Sequence, residues 1–315
     1  MSKIKFSSWL LAFLITGSIF ALLSFSEIEK VEDKKGTDPQ ISAPQDYKIV
    51  CPKIPEELTF CGEEVPLYNI DVFERMEREI ISNTYWHSST LLFLKRANRW
   101  FPVIEDILEK NNVPNDFKYL ALIESNLTNV VSPKGATGFW QFMKAAGKKY
   151  GLEINKLVDE RYHVEKSTEA ACKYLKDAYA KYGNWTLAAA SYNMGTNGTS
   201  RQLERQKTTS YYNLVLSEET TRYIFRILAA KEILTNPEKY GFFVEENQLY
   251  QPYKTYTEEV KQPIEHLADW AHSKGINYKI LKMFNPWLRD NYLTNKKNKT
   301  YEIKLPEEGT VEIIK

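Results

Sequence analysis

The sequence predicts a mainly α-helical body followed by a small α+β unit, and three observations carry that reading. Apolar residues recur with helical periodicity over Phe93–Leu108, Asp116–Leu127, Lys166–Tyr182 and Glu218–Leu234. Pro102, Pro114, the Ser132–Gly138 segment, Gly151, Gly183 and Gly195 punctuate those runs. After Pro237 the texture changes. Lys254–Val260 is strand-like, Pro263–Ser273 and Tyr278–Phe284 suit short helices, and Tyr301–Leu305 alternates as a strand does. That strand–helix–helix–strand order defines a second unit of about 55 residues, a size at which an independent core is marginal. Within the body, Val113-Pro114-Asn115-Asp116 looks like a helix start with a capping residue.

The N-terminus has the texture of an export segment. Lys3 and Lys5 precede an apolar run from Trp9 to Leu23, and Ser24 and Ser26 supply small residues before Glu27. Residues 1–26 are therefore expected to be a signal peptide or an uncleaved signal anchor, since a span needs ~20 apolar residues. Both readings put the remainder in the cell envelope, with membrane attachment in the second. Residues 27–59 are expected to be a linker, polar from Ser26 to about Tyr47. Outside the cytoplasm Cys51 and Cys61 either form a short-loop disulfide or stay as two thiols, whereas Cys172 fits a helix as a small buried apolar residue.

Composition narrows the function. With 42 basic and 41 acidic residues the net charge is +1, which argues against nucleic acid as a partner. His87, His163, His266 and His272 lie far apart and none pairs with Cys or Asp at ligand spacing, so neither a metal nor a cofactor is expected. Aromatics make up 13% of the chain, with 20 tyrosines, a composition suited to flat polar ligands as well as to packing.

One carboxylate stands out. Phe117, Leu120, Ala121 and Glu124 fall at i, i+3, i+4 and i+7, so Glu124 shares the apolar face of its helix. Desolvation there raises a carboxyl pKa, and a carboxyl protonated near neutrality suits a general acid. The competing reading is a structural glutamate in a hydrogen-bonded network. Three pieces of sequence supply context. Ser132–Gly138 is a turn-rich loop, and Phe139-Trp140-Gln141-Phe142-Met143 sets one amide among aromatics. Ala188–Gly195 ends in Tyr192, Asn193 and a helix-stopping glycine, and Glu219-Thr220-Thr221-Arg222-Tyr223 opens another helix.

Together ALIESNL (121–127), SPKGATGFWQFM (132–143), AAASYNMG (188–195) and ETTRYIFRILAAKEI (219–233) resemble, in order and spacing, the catalytic domain of the soluble lytic transglycosylases, goose-lysozyme relatives. With KSTEAACKYLKDAY they resemble the D type of the membrane-bound lytic transglycosylases. The resemblance implies a lysozyme-like catalytic domain over residues 60–240, including an N-terminal helical extension. It also implies a diverged LysM-like module over residues 250–315. It implies peptidoglycan glycan strands as substrate, in a monomer. Glu124 matches the family's acid/base and Ser125 the hydroxyl beside it that contacts substrate. Gln141 matches the cleft-lining glutamine, within Gly138-Phe139-Trp140-Gln141, the aromatic variant of that motif. Tyr192 and Asn193 match the Ala-Tyr-Asn motif, and Tyr223 matches a tyrosine near the catalytic carboxyl. Tyr192 and Tyr223 as core aromatics, and Ser125 as a local backbone-bonding serine, are the plain alternatives.

The implied reaction is a lytic one, closing a 1,6-anhydromuramoyl ring with a single carboxyl. A lysozyme-like hydrolase and a non-catalytic peptidoglycan-binding envelope protein are the alternatives.

Overall fold

The computed structural model describes residues 49–311. The expected export segment and most of the expected linker lie outside them. From residue 51 onward the chain forms one unit. The linker expectation is corrected at its C-terminal end: Leu58 is buried and Ile54 packs against the core, because both side chains are apolar and the body offers them a surface.

Two short strands open the unit, β1 (Thr59–Phe60) and β2 (Glu63–Glu64), paired antiparallel. The turn between them sets Cys61 and Gly62 at positive φ. The Glu63 carboxylate accepts from the backbone N–H groups of Trp185 and Thr186 at 2.5 and 2.9 Å. It thereby caps a helix far along the chain and locks the hairpin to the body. Cys51 and Cys61 are both free thiols, and Cys172 is fully buried.

Eight helices then follow: α1 (Ile70–Tyr85), α2 (His87–Lys110), α3 (Phe117–Ser125), α4 (Lys144–Lys149), α5 (Val164–Tyr182), α6 (Trp185–Met194), α7 (Thr196–Gln206) and α8 (Glu218–Thr235). Asn69 caps α1, its side chain accepting from the N–H groups of Asp71 and Val72. Helix α2 runs straight through Pro102, where the sequence suggested a break. Phe93, Ala97, Phe101, Ile104 and Leu108 form one buried stripe along it, and that burial outweighs the single hydrogen bond a proline removes. Asp116 precedes α3 but does not cap it. Its Oδ2 accepts instead from Cys61 N–H and from Lys231 Nζ, each at 2.7 Å, so this carboxylate serves tertiary packing.

Helix α3 sits at the centre, between α2 and α8. Phe117, Tyr119, Leu120, Ala121, Leu122, Ile123 and Ser125 are all buried, so the helix is covered on every side rather than on one face. Asn126 ends it in the left-handed conformation, its N–H returning to Leu122 O.

The C-terminal unit pairs β3 (Thr255–Val260) antiparallel with β4 (Tyr301–Pro306), in register from Thr255 opposite Pro306 to Val260 opposite Tyr301. Helices α9 (Leu267–Ser273) and α10 (Tyr278–Phe284) lie between them in the chain. Helix α9 starts at Leu267 rather than at Pro263, because Ile264 is held in a bridge to Leu293. Leu267, Ala271, Leu281, Ile303 and Leu305 make a core of their own, which Val158 and Tyr162 of the helical body join. Two backbone hydrogen bonds seal the join, Asp159 N–H to Trp287 O at 2.9 Å and Arg289 N–H to Leu157 O at 2.7 Å.

Candidate active site

Glu124 lies in the last turn of α3 and is half-buried. Tyr223, from the buried face of α8, donates its hydroxyl to Glu124 Oε1 at 2.5 Å. Burial raises the Glu124 pKa above the ordinary carboxylate range, and the Glu219 charge adds to it. The Tyr223 hydrogen bond and the Arg226 guanidinium oppose the rise without cancelling it. Arg226, one turn beyond Tyr223, donates to Ile123 O at 3.0 Å and so holds its charge beside α3. Burial and the Glu124 charge push the Tyr223 hydroxyl well above its usual value, so Tyr223 remains a donor. A carboxyl whose neutral form burial favours, with a fixed phenol donor at one oxygen, is equipped to give a proton and to carry the charge that remains.

Ser125 is buried, and its hydroxyl is committed to the backbone, donating to Phe139 O at 2.8 Å and to Ala121 O at 3.2 Å. In this structure it fastens the end of α3 to the following loop; it is not held open toward a ligand. That is the backbone-bonding alternative, and its cause is the close approach of residue 139 to α3.

Gln141 is half-buried with φ +47°, a left-handed conformation that is uncommon for a residue with a side chain. Its Nε2 donates to Gly138 O at 2.8 Å and to Val130 O at 3.1 Å. Among the described residues its amide oxygen has no hydrogen-bond donor. The three aromatics around it, Phe139, Trp140 and Phe142, are all core residues. Trp140 Nε1 donates to Thr168 Oγ1 on α5 at 2.8 Å. Gly138 is irreplaceable on two counts: its φ is +80°, and a Cβ there would overlap the carbonyl oxygen of Arg161.

Tyr192 is held by its neighbours. Its hydroxyl donates to Trp140 O at 2.7 Å, and its ring meets those of Trp140, Phe142 and Tyr174 edge-on. Burial first, and the Glu124 charge second, push its hydroxyl well above the usual value. It braces the loop from the far side of the aromatic cluster. Asn193 accepts from Thr220 Oγ1 at 2.8 Å and donates to Glu219 at 3.4 Å, which ties the end of α6 to the first turn of α8.

Sequence reasoning passed over Arg161. Its guanidinium pairs with Asp159 through Nε at 3.0 Å and Nη2 at 2.7 Å. Its Nη1 donates to Gly135 O and Phe142 O, at 3.0 and 3.1 Å, the two ends of the loop that carries Gln141. The signal was an Asp two residues before an Arg, a local pattern too common to single out.

With this geometry in place the family comparison is informative. Residues 101–215, which include Glu124, Gln141 and Asn193, match the transglycosylase SLT domain. The chain carries an SLT domain. Residues 256–309 match the soluble lytic transglycosylase C-terminal LysM-like domain, so the α+β unit is LysM-like. Membrane-bound lytic murein transglycosylase D of Escherichia coli K12 is 28% identical over 247 residues, which are 74% of this chain and 52% of that protein. The protein of the same name from Escherichia coli O6:H1 strain CFT073 aligns to the same extent. The chain thus spans about half the length of the curated relatives it matches. Tyr223 lies beyond the matched SLT residues, yet among the described residues it supplies the one hydroxyl bonded to Glu124.

Proposed function

We propose that this chain is a peptidoglycan lytic transglycosylase, with Glu124 as its single acid/base. The observation that carries the reading is the half-buried Glu124, its pKa raised by burial, with the Tyr223 hydroxyl at 2.5 Å. Protonated Glu124 gives its proton to the oxygen of the β-1,4 bond between N-acetylmuramic acid and N-acetylglucosamine. The bond from C1 to that oxygen breaks, and the substrate's own acetamido group stabilises the cationic C1. Glu124, now a carboxylate held by Tyr223 and Arg226, removes the proton from the muramoyl 6-hydroxyl. The freed oxygen closes on C1 and leaves a 1,6-anhydro end. No water is consumed.

Gln141 and Asn193, both half-buried, are the substrate-facing amides in this reading, while Ser125 and Tyr192 position the loop between them. The substrate places the protein in the envelope, exported through residues 1–26, whether that segment is cleaved or kept as an anchor.

The test is mass spectrometry of muropeptides released from purified sacculi. Wild-type protein should release anhydromuropeptides. Glu124→Gln, nearly isosteric but unable to donate a carboxyl proton, should lose ~10²–10⁴-fold of that release or more. A variant that keeps most of its activity would remove Glu124 from the mechanism. Reducing muramic ends from the wild type would replace the lyase with a hydrolase.

A further inference from the structure

Where the LysM-like unit meets the helical body there is a cavity of about 140 Å³ with no part in the reaction above. It is lined from both sides, by Trp100, Asn129 and His163 of the body and by Tyr253, Phe284 and Trp287 from the C-terminal segment. We propose that this seam is a second saccharide site, taking one uncharged N-acetylated pyranose of a glycan strand between the two parts of the protein.

Four observations support it. The volume is close to the ~150 Å³ of an engineered cavity that holds benzene, which is room for the ring of one sugar but not for its substituents. The walls are aromatic and continuous with the catalytic loop. Phe139 meets Trp100 at 5.1 Å between ring centroids, Trp100 meets Tyr253 at 6.2 Å, and Tyr253 meets Phe284 at 5.0 Å. Such walls offer flat apolar faces to the C–H face of a sugar, the lining that ligand pockets commonly have.

The third observation is His163, which is only 8% exposed. One ring nitrogen, Nδ1, lies 3.0 Å from Glu165 Oε2, and the ring stacks on Trp287. Its other nitrogen has no protein partner among the described residues. His163 is among the residues that line the cavity. A buried imidazole oriented by a carboxylate, with its second nitrogen open, is ready for a hydroxyl or an acetamido N–H. Asn129, whose Nδ2 donates to Tyr162 O at 3.4 Å, adds an exposed amide oxygen five residues after Glu124, next to the Val130 carbonyl that Gln141 holds.

The fourth observation selects a neutral ligand. The charged side chains around the cavity already have partners: Lys304 pairs with Glu165, and Arg99 donates to Gln251 O and Tyr253 Oη and lies over the Tyr250 and Tyr253 rings. Burial opposes ionisation of Glu165, but His163 and Lys304 outweigh it and hold that carboxyl at about 2. A carboxylate ligand at Lys304 would have to displace Glu165, whereas a sugar needs only hydrogen bonds.

The choice of sugar rests on the proposed glycan substrate, but the test does not require cleavage. The ε-methyl of Met283, which lines the cavity and is 44% exposed, is a local reporter. Full-length protein labelled at the methionine methyls is titrated with the N-acetylglucosamine trimer, the Met283 signal being assigned from Met283→Leu. The expected result is a saturable shift of Met283. Asn129→Ala and His163→Phe should each weaken it about 3- to 10-fold, the worth of one hydrogen bond. Asn129 is exposed, so its variant stays informative if His163→Phe does not fold. Three results would overturn the proposal: an unmoved Met283 at saturating trimer, a Met283 titration that neither variant weakens, or a shift produced by an acidic stem peptide and not by the trimer. Anhydromuropeptide release is scored separately, so loss of the lyase reading and loss of the seam site are distinguishable.

Discussion

Tyr223→Phe tests the central electrostatic pair most directly. The substitution removes one oxygen from a residue that is 1% exposed, and the hydroxyl's partner is Glu124 Oε1 at 2.5 Å. No other buried group loses a bond, so folding should survive. A hydrogen bond to a charged group is worth ~1.5–3 kcal/mol. One pKa unit is ~1.4 kcal/mol, so losing a bond that favours the carboxylate should raise the Glu124 pKa by a further ~1–2 units. In the proposed mechanism Glu124 must be protonated in the free enzyme, so activity is lost as pH rises through its pKa. In Tyr223→Phe the alkaline limb of kcat/KM against pH should therefore move up by ~1–2 units. A weaker acid gives up its proton less readily, so the plateau should also fall, by at most ~10- to 150-fold when proton transfer is complete at the transition state. The assay is anhydromuropeptide release from sacculi across pH 4 to 9, with a folding check by circular dichroism. An alkaline limb that stays in place, or moves down, would refute the assignment of Tyr223 as the donor that opposes burial.

Three further expectations follow from the same geometry. Glu124→Gln should be more stable than wild type at neutral pH and equal to it in acid. The folded protein holds a proton on Glu124 that the unfolded chain releases, so wild-type stability falls with pH by ~1.4 kcal/mol per unit between the ordinary and the raised pKa, and Gln escapes this; parallel melting curves at every pH would contradict it. Asp159→Asn leaves the Arg161 guanidinium buried without its carboxylate, which should cost ~3–5 kcal/mol in urea unfolding; a loss under ~1 kcal/mol would mean the pair is solvated. Glu219→Gln removes a charge that raises the Glu124 pKa, so the alkaline limb should move down with the plateau retained, and a fall of ~10²-fold or more in the plateau would instead make Glu219 a participant.

How far the sequence revealed the protein varied with the kind of interaction. Helical periodicity located α2 and α5, whose buried stripes follow 3.6-residue spacing, and also α3 and α8, which are buried on more than one face. Pro102 was a false boundary, since tertiary burial overrides one lost hydrogen bond. Asp116 looked like a cap but bonds Cys61 and Lys231, partners 55 and 115 residues away. Glu124 was legible from its register with Phe117, Leu120 and Ala121, and Tyr223 from its place in a recognised motif. The Asp159–Arg161 clamp and the seam cavity were not legible: each depends on chain segments that meet only after folding, and no local pattern records it.

The arrangement of carboxylates bears on why one would suffice in the proposed mechanism. A two-carboxylate glycosidase sets its pair ~5–9.5 Å apart. Asp116 stands just before α3 and precedes Glu124 by eight residues, which at 1.5 Å per residue is ~12 Å of rise. It is also paired with Lys231, at 2.7 Å. Glu219 is the remaining candidate, one helical turn before Tyr223 and so on the same side of α8. It is exposed, and its contact with the site is a 3.4 Å bond from Asn193, a placement suited to tuning Glu124 by repulsion. A hydrolase would need Glu219 to fix a water opposite the acid. The lytic route asks nothing of Glu219, because the second nucleophile is the sugar's own hydroxyl and the returning base is Glu124 itself. What that route does require is a carboxyl that is protonated at rest yet stabilised once charged. Burial provides the first condition, and Tyr223 with Arg226 provides the second.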